Sequence, residues 1–181
     1  SEDSDTVVGT FKTAPTLSQS RVVSFIVGAD VGGQEFCREV SQGGYSIFRS
    51  MEALAPDFYI SNGDFIYADG DCPADGPDGP GGWQNIPGDF PSIGDTSVDW
   101  TDSARVRDVY LRHYRYNRAD PFMQSFLKNT SIIAQWDDHE VINDFGARWE
   151  YWNSANIDRA GYPTLVAEGL KAFFDYSPID R

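Results

Sequence analysis

The sequence predicts an α/β fold with a parallel sheet, because three strand-like segments alternate with segments of helical periodicity. The strand-like segments span 21–30, 57–64 and 131–136, and each is a short apolar run. The first is apolar without alternation, which predicts a sheet covered on both faces. A helix between the first two strands would complete a β-α-β unit.

Carboxylates follow each predicted strand at its carboxyl end. Asp30 follows the first strand, Asp64 the second, and Asp137-Asp138-His139-Glu140 the third. In open α/β sheets the functional crevice lies outside the carboxyl ends of the strands, so these residues are expected to meet there. Carboxylate oxygens suit hard cations, and an added His or Tyr extends the choice to iron or zinc. The pattern therefore predicts a metal-dependent hydrolase.

Helices are predicted where apolar residues recur three or four positions apart. These are 47–55, ended by Pro56, then 104–118, 122–127 and 162–174. A loop is predicted over 70–103, because residues 70–99 contain seven Gly, five Pro and six Asp. We interpret residues 1–20 as an N-terminal arm and 21–181 as a single partial domain, since three strands make a thin sheet.

The composition excludes one class of partner and leaves another open. A formal charge of −14 argues against nucleic acid, which is bound by basic surfaces. Small anionic substrates remain compatible if metal ions neutralise them. The chain has no apolar run of the ~20 residues that a membrane span needs, and residues 1–5 do not resemble a signal peptide. We expect a soluble, already processed protein.

Cys37 and Cys72 each follow a predicted ligand strand by seven or eight residues, so they could lie on the same face. A disulfide is the first interpretation and a metal thiolate the second, while two free thiols of a cytosolic protein would give the same count. The disulfide interpretation favours export, and so a secreted protein in an extracellular or periplasmic location.

Two further groups have simpler structural interpretations. His113 falls on the apolar side of a Tyr-rich helix, where a hydrogen-bonded core residue is the commoner role. Five arginines, at positions 105, 107, 112, 115 and 118, could hold a substrate phosphate. A solvated helix face that pairs with the acidic loop explains them equally simply. No substrate-binding residue is assigned.

Two motifs near the strand ends are specific enough to compare with a known family. They are Gly63-Asp64-Phe65-Ile66-Tyr67 and the run 136–144, which begins Trp136-Asp137-Asp138-His139-Glu140. With the spacing of Gly44-Tyr45 and Pro56-Asp57-Phe58 between them, they resemble the PhoD-like alkaline phosphatases, part of the calcineurin-like metallophosphoesterases. The resemblance runs from about residue 25 to about residue 178. It implies a metallophosphoesterase-like α/β/β/α sandwich, of which this chain holds the first half.

The resemblance also implies a site containing ferric iron (Fe3+) and calcium, with other divalent metals as substitutes. Asp64 matches a bridging carboxylate, and Tyr67 matches the phenolate ligand of the ferric ion. Asp138 stands at the Asn, and His139 at the His, of the superfamily's Gly-Asn-His motif, so Asp138 is a predicted ligand and both are predicted catalytic residues. Asp30 is a predicted ligand too, although PhoD-like proteins often carry Cys there and the wider superfamily Asp.

The implied activity is hydrolysis of phosphate monoesters or diesters, small-molecule substrates, by a metal-activated hydroxide, with His139 assisting the leaving oxygen. A simpler structural interpretation is also open. In it, Asp64 forms a turn and Tyr67 is a core residue, while the 137–140 run caps a helix or forms an exposed acidic turn.

Family members are longer, which predicts that a second chain or a C-terminal half completes the site. The alternative function is a non-catalytic assembly module that recruits partner chains through its uncovered sheet.

Overall fold

The predicted α/β architecture is confirmed by a computed structural model, which describes residues 8–93, 99–145 and 161–179. The predicted arm and loop lie partly outside these ranges. The elements are β1 (Phe25–Gly28), α1 (Ile47–Ala53), β2 (Phe58–Asn62), α2 (Ser103–Arg118), α3 (Pro121–Asn129), β3 (Ser131–Gln135), a 3-10 turn (Asp138–Glu140) and α4 (Tyr162–Tyr176).

The three strands form one parallel sheet in the order β1-β2-β3. Phe58 of β2 pairs in register with Phe25 of β1 and with Ser131 of β3. Parallel strands in this register end at the same edge of the sheet, so the segments that follow β1, β2 and β3 leave from one side of the molecule. The candidate site lies along that edge.

Helices α1 and α3 cover one face of the sheet. Tyr59 of β2 is 2% exposed, and its ring centroid lies 6.4 Å from that of Phe48 on α1 and 5.6 Å from that of Phe126 on α3. Ile26 and Ile132 are paired in register with Tyr59 and share its face. This aromatic contact anchors the sheet to the helical layer.

The opposite face is open to solvent in the described part of the chain. It carries Phe25, Val27 and Ile133, which are 54%, 56% and 51% exposed. The expectation that the first strand would be covered on both faces is therefore wrong for these residues. The apolar run reflects a face that a second layer would cover, and in an α/β/β/α sandwich that layer is the other sheet.

Helices α2 and α4 pack on each other, and Tyr114 stacks on Tyr176 with centroids 4.9 Å apart. Asp102 caps α2 by accepting the backbone N–H groups of Ala104 and Arg105. Asp120 caps α3 in the same way, and Pro121 follows it in the first turn, where its missing N–H costs nothing. No helix among the described residues is long and apolar enough to span a membrane.

The acidic loop after β2 is held to the fold by specific contacts. Asn85 is 2% exposed; its side chain accepts the Cys37 N–H at 2.9 Å and donates to the Glu35 and Pro73 carbonyls at 2.8 Å. Cys37 and Cys72 form a disulfide with a Cα–Cα distance of 5.9 Å. The loop is thereby tied to the segment between β1 and α1.

Candidate metal centre

The chain turns sharply at the end of β2, and this turn places Asp64. Gly63 and Asp64 both have positive φ, 83° and 50°. A side chain at Gly63 would put its Cβ 2.3 Å from the Asp137 Cβ, so only glycine allows the two turns to touch. Asp64 is held in a conformation that a non-glycine residue adopts rarely, which the surrounding structure must enforce.

Asp64, Asp138 and His139 come together at this edge, each offering a ligand atom within 4.8 Å of the others. The His139 backbone N–H also donates to Asp64 Oδ1 at 3.3 Å. Asp138 Oδ2 in turn accepts the backbone N–H of Asp144. The turn after β2 and the 3-10 turn after β3 thus form one cluster from residues about 75 positions apart in sequence.

The electrostatics of the cluster favour a bound cation. Burial, with smaller contributions from the charges of Asp138 and Asp137, raises the pKa of Asp64 to about 6 against the opposing influence of His139. An ionised Asp64 is therefore costly in the metal-free protein. The two carboxylates are donors that fit calcium or manganese, and the imidazole fits iron or zinc, so the residues present are compatible with the implied metals.

Asp69 orients His139, a role that the sequence analysis did not assign. His139 Nδ1 donates to Asp69 Oδ1 at 2.6 Å, and Asp69 Oδ2 accepts the Asn143 backbone N–H at 3.3 Å. Burial lowers the pKa of His139, but the hydrogen bond and charge of Asp69 outweigh it, so the pKa lies above the ordinary value. The sequence signal for this role is Asp69 itself, a carboxylate two residues after Tyr67, because a carboxylate commonly holds the ring of a functional histidine.

Tyr67 lies beside the cluster and connects it to Asp30. Its hydroxyl donates to Asp30 Oδ1 at 2.6 Å, and its ring centroid is 4.1 Å from that of His139. An added Cβ at Gly33 would fall 2.3 Å from the Tyr67 ring, so glycine there makes room for it. Burial and the hydrogen bond to Asp30 raise the pKa of Tyr67, which favours the neutral phenol in the metal-free protein.

Asp30 adjoins the cluster through Tyr67 and is not one of its three members. It is exposed and has a φ of 56°. Its metal-binding role, like that of Tyr67, stays a prediction.

Glu140 lies beneath the cluster and is fully buried. Its Oε2 accepts the N–H groups of Asp64 and Asp137 at 3.2 and 2.8 Å, and its Oε1 accepts that of Phe65 at 2.6 Å. Burial raises the pKa of Glu140 to about 7 against the influence of these hydrogen bonds. The sequence places Glu140 among the carboxylates at this edge, but its role as an acceptor for both turns was not predicted.

The remaining candidates have structural partners of their own. His113 is buried, with Nε2 3.2 Å from the Pro91 carbonyl oxygen and its ring against Phe90. Arg112 and Arg115 both pair with Asp108 on the same helix. The contacts of His113 match its simpler structural interpretation. These two arginines pair mainly within their own helix, and Arg112 also donates to the Asp89 carbonyl of the acidic loop at 3.3 Å.

Comparisons with known proteins place the chain in a family and find a similar fold. Residues 28–181 match the family described as PhoD-like phosphatase. The chain is also similar to a solved structure entitled "Structure of PhoD", with a TM-score of 0.57 and 17% sequence identity over 87% of this chain and 26% of that one. The chain therefore spans about a quarter of that structure. A comparison with curated proteins gave no match.

Proposed function

Because the chain belongs to the PhoD-like phosphatase family, we propose that it contributes a metal site to the hydrolysis of phosphate monoesters or diesters. The observation that carries the proposal is the convergence of Asp64, Asp138 and His139 at the carboxyl edge of the sheet. Such a cluster at the end of adjacent parallel strands is where an α/β protein binds its ligand. The open sheet face and the 26% coverage of the matched structure support a further part of the site on another chain segment or subunit.

The proposed metals are iron and calcium, with other divalent ions as substitutes. Asp64 and Asp138 would hold them through carboxylate oxygens, and Tyr67 and Asp30 lie close enough to each other to contribute a second pair of oxygen donors. Bound cations would neutralise the phosphate oxygens and lower the pKa of a water molecule. The raised pKa values of Asp64 and Tyr67 are consistent with this, since a nearby positive charge would favour the ionised form of both groups.

His139 is assigned to the leaving group. Asp69 holds Nδ1, so Nε2 is the ring nitrogen that would face the substrate. The raised pKa of His139 favours the protonated ring, which can donate to the developing alkoxide. Asp69 would keep the ring in place while the proton leaves Nε2, and Asp138 would stay beside it as a metal ligand and catalytic residue.

The proposed location is extracellular or periplasmic. The disulfide between Cys37 and Cys72 supports it, because disulfides persist mainly in oxidising compartments.

The test combines metal analysis with activity. Native protein, kept away from chelators, is assayed for iron, calcium, zinc and manganese, and for hydrolysis of p-nitrophenyl phosphate and bis(p-nitrophenyl) phosphate. Asp64→Asn should lose metal and activity while its far-UV circular dichroism is kept. Asp89→Asn is the matched control, because Asp89 is fully exposed on the acidic loop. Stoichiometric metal retained by Asp64→Asn would count against the proposal.

A non-catalytic assembly role is the second candidate. It is favoured by the exposed apolar face formed by Phe25, Val27 and Ile133. The intact mass of the native material separates the two. A second chain without metal would support the assembly role, whereas a second segment that brings stoichiometric metal and hydrolysis would support the enzyme.

A further inference from the structure

We propose that Glu140 is a positioning residue for the metal centre, whose carboxylate holds the turn after β2 and the turn after β3 in one fixed relation. The inference rests on the proposed function for its effect on metal binding. It concerns a residue that lies outside the group of Asp64, Asp138 and His139.

The contacts of Glu140 reach two separate parts of the chain. Three backbone N–H groups donate to its two oxygens: those of Asp64 and Phe65 from the first turn, and that of Asp137 from the second. The bond to Asp137 is a local cap of the 3-10 turn. The bonds to Asp64 and Phe65 cross 76 and 75 positions of sequence, so a capping role alone does not explain them.

The energetic case follows from burial. Glu140 is fully buried, and a buried carboxylate is tolerated only when its oxygens are satisfied by strong donors. Its hydrogen bonds occupy both oxygens, which makes it a clamp rather than a ligand. Bonds between a charged and a neutral group contribute more than neutral pairs, and leaving a buried N–H unpaired is costly.

The turns that Glu140 joins are strained where the ligands sit. Asp64 has a φ of 50°, and Gly63 packs against the Asp137 side chain so closely that no Cβ fits. Without the carboxylate, the two turns would keep their van der Waals contact but lose the bonds that set the positions of Asp64 and Asp137. The ligand atoms of Asp64 and Asp138 would then lose their fixed separation.

Glu140→Gln is the direct test, because it keeps the shape but turns one acceptor into an N–H donor that faces a backbone N–H. We expect its Mn²⁺ affinity, measured by electron paramagnetic resonance of the free ion, to fall ~10- to 100-fold. We also expect faster hydrogen exchange of the Asp64, Phe65 and Asp137 amides. Glu168→Gln is the control, since Glu168 is also a buried glutamate but pairs with Lys171 on α4.

The exchange rates and the Mn²⁺ affinity test the positioning role of Glu140 separately from the proposed function. Wild-type exchange rates at the three amides in Glu140→Gln would overturn the positioning role, as would an unchanged Mn²⁺ affinity. If the wild-type protein binds no Mn²⁺ and no native metal, the proposed function fails, and the exchange rates alone still decide whether Glu140 holds the turns. If Glu140→Gln does not fold, Glu140→Asp replaces it, because the shorter side chain keeps the charge but cannot reach both turns. Glu140→Asp should show a smaller fall in Mn²⁺ affinity and a smaller rise in amide exchange. Wild-type affinity and exchange rates in this variant would overturn the proposal.

Discussion

Asp69 Oδ1 accepts a hydrogen bond from His139 Nδ1 at 2.6 Å, which joins the loop after β2 to the turn after β3. The bond fixes the plane of the imidazole and leaves Nε2 as the nitrogen that can face a substrate. Because the carboxylate is charged, it also stabilises the imidazolium form. Asp69 therefore influences both the geometry and the protonation of the proposed general acid.

Replacing Asp69 by Asn should separate these two influences. The amide oxygen can still accept from Nδ1, but the charge is gone, so the pKa of His139 should fall. We expect the turnover number to drop ~10- to 100-fold, with a smaller change in KM. The measurement is a proton NMR titration of the two histidines, read beside the pH profile of hydrolysis.

The two resonances are separable, because burial lowers the pKa of His113 to about 4 while that of His139 is raised. Asp89→Asn serves as the control for a general loss of negative charge. An unchanged His139 pKa in Asp69→Asn would show that this carboxylate does not set its protonation.

Asp64→Asn should affect the metal-free and metal-bound proteins in opposite directions. Burial and the neighbouring carboxylates raise the pKa of Asp64 to about 6, so its folded pKa lies above the unfolded value and its ionised form destabilises the metal-free fold above about pH 6. Removing the charge should therefore raise the melting temperature of the chelated protein. The stabilisation that added Mn²⁺ gives to the wild type should disappear.

Thermal melts at pH 7.5, with chelator or with Mn²⁺, measure both effects. A lower melting temperature of the chelated variant would mean that Asp64 is needed by the fold itself rather than by the metal.

The sequence predicts the elements of the fold better than their environment. The predicted second strand, 57–64, contains the observed β2 but runs two residues past its end into the turn at Gly63 and Asp64. The bounds of α2 agree to one residue, because its arginines and apolar residues fall on different sides. The exposure of Phe25 and Val27 could not be predicted, since an apolar strand looks the same whether or not a second layer covers it. Whether a second layer covers this face of the sheet depends on the rest of the folded protein and not on the strand itself.

In the site too, some features could be predicted from the sequence and others could not. Asp64, Asp138 and His139 were predicted together, because each lies at the carboxyl end of a strand in a parallel sheet. Asp69 was not predicted with them, and Glu140 was placed at this edge without a role, because both roles depend on hydrogen bonds between segments about 70 positions apart. A carboxylate that binds backbone N–H groups at a distance has no local sequence pattern.

His113 predicts a pH dependence of stability that is separate from the metal centre. Burial lowers its pKa from 6.5 to about 4, against the contact with the Pro91 carbonyl, so the unfolded chain binds the proton at higher pH than the folded chain. The free energy of unfolding should therefore decrease as the pH falls from about 6.5 to about 4, by about 3 kcal/mol at most. Below about 4 this contribution is constant.

Urea unfolding of wild type and His113→Gln across this range isolates the effect, because Gln can still donate to the Pro91 carbonyl. The raised pKa values of Asp64 and Glu140 act in the opposite direction in both proteins and cancel in the difference. A difference in free energy that does not vary with pH would exclude His113 as the source.

Removing the disulfide should cost stability without removing the metal site. Cys37 and Cys72 are 35 positions apart, and closing a loop of that length restricts the unfolded chain by about 4 kcal/mol. The double variant Cys37→Ser with Cys72→Ser should therefore unfold at lower urea concentration, and dithiothreitol should reproduce this in the wild type. Because both sulfur atoms are used in the bond, Mn²⁺ affinity under native conditions should stay within a few-fold of wild type. Loss of metal from a variant that remains folded would instead favour a thiolate ligand.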